Sequence, residues 1–198
     1  MEGLTQLLMQ QLAGGGLSKI GQQIGADDQT TQSALSTALP LLVSALANNA
    51  SKPEGAQSLH QALVKDHDGT ILDNVSGFLG DPGAVNGAGI LKHILGGQQS
   101  AVTQGLAQGT GLQSDQIGQL LQIAAPLLMG ALGQQHRQQG LDTNSLSTFL
   151  GSEQHKAQQT NPDMMSTLNG LLDLDKDGSA LNDVFGMVGK LFGGKDSS

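Results

Sequence analysis

Asp173, Asp175 and Asp177 alternate along the chain and run directly into Gly178 and Ser179. In a tight turn this spacing delivers several carboxylates to one point. A hard divalent cation takes about six to eight oxygen ligands, and calcium accepts them in irregular geometry. Three Asp side chains held that close repel one another unless a cation neutralises them. The pattern therefore points to calcium, with Asp173, Asp175, Asp177 and Ser179 as ligands and Asp183 closing the sphere. The competing reading is a capped turn without an ion, because Asp and Gly are ordinary turn residues and Asp or Ser before an apolar run caps a helix.

Over its first half the segment resembles an EF-hand loop, which places side-chain oxygens at alternate positions, then a Gly for the sharp bend, then a backbone carbonyl. The closing bidentate Glu is replaced by Val184, and Asp183 stands one residue earlier. The loop is thus closer to the short Asp-x-Asp-x-Asp-Gly calcium loops of dockerins and extracellular modules. That resemblance implies weak binding, with a dissociation constant on the order of 10⁻⁴ to 10⁻³ M.

Catalytic patterns are absent by comparison. His60, His67, His93, His136 and His155 are scattered and form neither a His-x-x-x-His nor a His-Glu-x-x-His pair, so each is expected at the surface or at a helix end. Gly189 to Asp196 approaches a phosphate-binding loop but has Asp196 where Ser or Thr is required. No serine-nucleophile elbow is present. The expectation is a protein that is not an enzyme.

Composition narrows the partners. The 198 residues carry 9 basic and 17 acidic side chains, a formal charge of -8, which argues against a phosphate backbone as partner. With 4 Phe and no Trp or Tyr, stacking platforms for bases or sugars are missing. The lack of Cys removes disulfides and thiolate sites and leaves the compartment open. The first basic residue is Lys19 and no secretory signal is recognisable, so a cytoplasmic location is expected by default, with leaderless export as the alternative. No apolar run is expected to span a membrane. The stripe Phe185, Met187, Val188, Leu191 and Phe192 reads as core packing rather than as a membrane face.

The elements that must position the loop read as an all-α, multihelical chain. Gly25 to Leu46 and Gly111 to Leu132 align without a gap and share Gly25/Gly111, Leu35/Leu121, Ala38/Ala124, Pro40/Pro126, Leu41/Leu127, Leu42/Leu128, Ala45/Ala131 and Leu46/Leu132. In the first, Leu35, Ala38, Leu39, Leu42, Val43 and Leu46 share one helical face; in the second, Ile117, Leu121, Ala124, Leu128, Met129 and Leu132 do so. Asp27 and Ser114 are the expected N-caps. Pro40 and Pro126 predict a kink in each helix or its division into two.

The match recurs at the loop, where Asp66 to Gly80 lines up with Asp175 to Gly189 and Val64 replaces the leading Asp173. The first loop is expected to be a degenerate calcium loop serving as a turn and helix cap. These matches predict an internal duplication, with similar helical units at residues 1–100 and 101–198 and an insertion at 151–161 in the second. Further helices are expected at Leu4–Leu12, Leu17–Ile24, Glu54–Val64, Ile71–Leu79, Gly89–Leu95, Ala101–Ala107, Ser145–Leu150, Pro162–Leu172 and Ala180–Phe192. Gly clusters such as Gly14 to Gly16, Gly96-Gly97 and Gly193-Gly194 are expected to end helices.

The segments Ile90 to Gly97, reading ILKHILGG, and Ala125 to Gly133, reading APLLMGALG, with the terminal LDLDKDGS loop, resemble the YidB-like bacterial family, the domain of unknown function 937. That resemblance implies a multihelical all-α fold and supplies no activity. The expected function is a non-enzymatic calcium-binding structural or interaction protein, with a homo-oligomer or a protein partner in view. The alternative is a small-ligand binder or enzyme with a site between the two helical units, which requires a preformed pocket with convergent polar groups.

Overall fold

Residues 38–47 and 123–133 are apolar at almost every position rather than at every third or fourth. A helix with no polar side has to be surrounded. In a computed structural model, which describes residues 3–160, both stretches are buried on all sides within the two longest helices, α3 (Asp28–Ala50) and α8 (Ser114–Gln139). The faces expected to be apolar are buried, and so are the intervening Leu41, Ala45, Leu127 and Ala131.

The other helices supply the cover: α1 (Leu4–Leu12), α2 (Gly16–Ile24), α4 (Pro53–Lys65), the single turn α5 (Val75–Phe78), α6 (Gly87–Leu95), α7 (Gln99–Thr110) and α9 (Thr143–Thr160). Helix α9 lies along α3, α6 and α7 lie along α8, α1 and α2 touch both long helices, and α4 reaches α3, α8 and α9. No strand occurs among the described residues, so the fold is all-α and multihelical.

Neither proline divides its helix; α3 and α8 are each continuous through Pro40 and Pro126. A mid-helix proline costs about 3 kcal/mol. Burying one Leu side chain returns roughly 1.5–3 kcal/mol, and Leu39, Leu41, Leu42 and Leu46 are all buried around Pro40. The packing outweighs the lost bond several times over. Helix α8 is also long and apolar enough to cross a membrane by length and composition, contrary to expectation, but 78% of its apolar window is buried inside the protein.

The caps follow local chemistry. Asp27 accepts from the Thr30 amide at 2.9 Å, as expected of an N-cap. Helix α8 is capped at Gln113 rather than Ser114, through a reciprocal pair in which the Gln113 amide donates to Gln116 Oε1 at 2.8 Å. The Nε2 of Gln116 also donates to the carbonyl of Ile24 at 2.7 Å, tying the start of α8 to the end of α2. The helix expected at Ile71–Leu79 is a 3-10 turn, Thr70–Asn74, followed by α5. Asn74 leaves helical geometry and accepts from the Gly77 amide, restarting the helix.

The polar stretch expected as an insertion at 151–161 is helical as far as Thr160. Within it Glu153 is only 5% exposed. Its Oε2 accepts from the buried Leu4 amide at 2.6 Å and its Oε1 from Lys156 Nζ at 2.6 Å. A carboxylate thus sits at the positive end of α1 and ties the first described helix to the last.

Glycines on α8 allow a second close approach. A Cβ built at Gly133 would overlap the carbonyl oxygen of His67, and one at Gly130 would overlap the side chain of Ile71. The segment after α4 therefore lies directly on the α8 backbone. Helices expected at Pro162–Leu172 and Ala180–Phe192 fall outside the described residues.

Gly133→Ala is expected to destabilise by about 3 kcal/mol, the upper range for overpacking, whereas Gly151→Ala, in open space, should stabilise by about 0.5–1 kcal/mol; urea midpoints measure both. Glu153→Ala should cost about 1–3 kcal/mol by stranding a buried amide. Hydrogen exchange should show the α1 amides losing protection first.

Candidate functional site

The turn between α3 and α4 is tight because residue 55 is Gly. A Cβ there would overlap the carbonyl oxygen of Asn49. Asn49 in turn donates from Nδ2 to the carbonyls of Ile94 and His93, at 2.8 and 3.2 Å, fixing the end of α3 to the end of α6. These two constraints hold α4 and α6 on either side of a cavity of about 420 Å³.

Its walls are Leu59 and Ala62 from α4 and Ile90 and Ile94 from α6, and Leu46 and Met129 reach it from the two central helices. Polar groups border the apolar space. Asn49, Lys52, Glu54, Ser58 and His93 are exposed, and His67 joins the lining from the loop after α4. The α4 helix begins here with Pro53 at its first position and no side-chain cap.

His67 is half-buried, and that burial pushes its imidazole below the ordinary histidine range, against the opposing charge of Asp66. The shift favours the neutral imidazole, in which one ring nitrogen donates a hydrogen bond and the other accepts one. His60 and His136 form a separate edge-on pair, ring centroids 4.9 Å apart, between α4 and α8. Burial, and then the neighbouring His60, lower the pKa of His136. A second recess of about 630 Å³ is more polar, with Gln23, Asn86, Gln119 and Gln122 around it.

The first acidic loop uses its carboxylate internally. Asp68 Oδ1 accepts from the Thr70 amide at 3.1 Å and from Thr70 Oγ1 at 2.8 Å, and Oδ2 lies 3.8 Å from Arg137 Nη1. The amide bond, then the hydroxyl bond, hold the Asp68 carboxyl below the usual range. Gly69 follows at φ +96, the left-handed conformation that the turn requires of it. This is the turn expected of that loop; the 3-10 helix that follows starts after Gly69 with no side-chain cap. Among the described residues no three His, Asp or Glu side chains converge on a common point as metal ligands do.

The predicted ligands Asp173, Asp175, Asp177, Ser179 and Asp183 lie outside the described residues, as do the phosphate-loop-like segment Gly189 to Asp196 and the apolar stripe Phe185 to Phe192. Of the five histidines, the cavity brings together His67 and His93. Lys52, Asn49 and Ser58 carried no sequence signal, because the lining is drawn from α3, α4, α6, α8, the α3–α4 turn and the loop after α4. The Pro53-Glu54-Gly55 helix start was the local clue to the tight turn that shapes it.

No curated protein and no solved structure matches this chain. A family profile covers residues 6–135, a span that contains both the ILKHILGG segment and the APLLMGALG segment. The chain belongs to the bacterial protein family of unknown function DUF937.

Proposed function

We propose that this protein binds a small apolar molecule and is not an enzyme, its site being the cavity between α4 and α6. The observation that carries the reading is the cavity itself, about 420 Å³ of space with aliphatic walls. Ligand pockets run from roughly 300 to 1,000 Å³, with apolar linings and a few polar groups that set orientation. The lining combines six aliphatic or Met side chains with Asn, Ser, Lys, Glu and two His. No nucleophile, base and orienting group are arranged in series there, which favours binding over catalysis.

A second reading rests on the spacing of Asp173, Asp175, Asp177, Ser179 and Asp183. Calcium bound there would pin the C-terminal segment and support self-association or a protein partner. On this reading the chain is a duplicated unit, 1–100 and 101–198. Gly25 and Gly111 support that view, since each ends a helix with φ near +70 ahead of a long proline-containing helix.

Two measurements test these readings. The neutral fluorophore 1-aminoanthracene is expected to brighten on binding, and Ala62→Leu, which fills part of the cavity, should weaken it about tenfold while leaving cooperative unfolding intact. No brightening, or equal brightening in the variant, overturns the pocket. Calorimetric titration with calcium should release heat that Asp175→Ala abolishes, and a chelator should lower the mass seen by light scattering; absence of heat with the parent chain removes the calcium reading.

A further inference from the structure

Resting on the pocket reading above, we infer that the ligand is an amphiphilic acid of about eight to twelve carbons in all, a carboxylate at the end of an apolar tail. The tail would lie between α4 and α6 and its carboxylate would meet Lys52 and His93 at the mouth.

The size follows from the cavity. At the packing density of a protein interior, 420 Å³ accommodates roughly 12–15 non-hydrogen atoms. The deep walls come from Leu46, Leu59, Ile94 and Met129, all buried, so no polar group can be left there without loss of its hydration. Met129 lets the floor adapt, since its unbranched side chain fills irregular gaps. The inner part of the ligand must be apolar and without hydrogen-bonding groups.

The mouth sets the other end. The chain as a whole is acidic, with 17 carboxylates against 9 basic side chains, yet the cavity lining carries one ammonium, Lys52, and one carboxylate, Glu54, with the imidazoles of His67 and His93 beside them. Glu54 lies in the first turn of α4, where the positive end of the helix already compensates it. Asn49 spends its Nδ2 on backbone carbonyls of α6. The donors left to face a ligand are the Lys52 ammonium, the Ser58 hydroxyl and the imidazoles. They suit an anion, and charge-assisted bonds from N–H donors to a carboxylate are stronger than neutral ones. A cationic head would be repelled by Lys52, and a neutral oxygen would accept only a weaker bond from it.

Octanoate and 1-octanol share a tail and differ in the head, so titrating the full chain with each, followed by NMR shifts of the Ile90, His93 and Ile94 amides, separates the two claims. Octanoate is expected to bind about tenfold more tightly. Lys52→Gln with His93→Gln, both at exposed positions, should remove that preference and leave 1-octanol binding unchanged. Equal binding of the two, or tighter binding of 1-octanol, overturns the acid and leaves the pocket standing. A preference that survives the double substitution also overturns it. Failure of both molecules to shift those amides overturns the acid and the pocket together.

Discussion

Two stretches of helix with no polar side, residues 38–47 and 123–133, impose the arrangement of everything around them. One helix cannot cover another on every face, so each must be enclosed by several neighbours, and the chain provides them on both sides in sequence. Enclosure also explains why two prolines inside helices are tolerated. The surrounding packing fixes the axis of each helix, and loss of one backbone bond is small beside the apolar surface removed from water.

Enclosure brings backbones close together, and glycine is what permits it. Gly133 and Gly130 accept the chain that follows α4, and Gly55 accepts the end of α3. Each is a contact glycine, a place where a Cβ would overlap a neighbour. The tight α3–α4 turn brings α4 back beside the end of α3, and the cavity lies between α4 and α6. A cavity of this kind is lined by residues from segments that are distant along the chain.

Polar groups secure the ends of elements rather than their middles. Glu153 on Leu4, Gln116 on Ile24 and Asn49 on α6 each satisfy backbone groups that a helix terminus leaves open. Within the buried stretches, Ser44 returns its hydroxyl to the carbonyl of Pro40 at 3.0 Å and needs no outside partner. The long-range ties are few and specific. They fix which helix lies against which, while the apolar surface sets how strongly they hold.

Much of the fold was legible in residue order. The all-α class, the apolar cores of α3 and α8, the Asp27 cap and most helix positions follow from three-and-four spacing and from capping chemistry, which act over a few residues. The sequence predicts one helix over Ile71–Leu79 because periodicity does not register an Asn side chain competing for a backbone amide. Gly55, Gly130 and Gly133 gave no sign of their role, since a glycine at a cap and a glycine at a contact are written alike. The buried Glu153 lay in a stretch whose polarity pointed outward, and only its partner 149 residues away gives it a place inside. The sequence by itself determined the helices and the Asp-rich spacing at 173–183, because both are local properties of the chain. Tertiary structure alone decided the cavity and its mouth, because Lys52, His67 and His93 come together only when α4, α6 and α8 are packed.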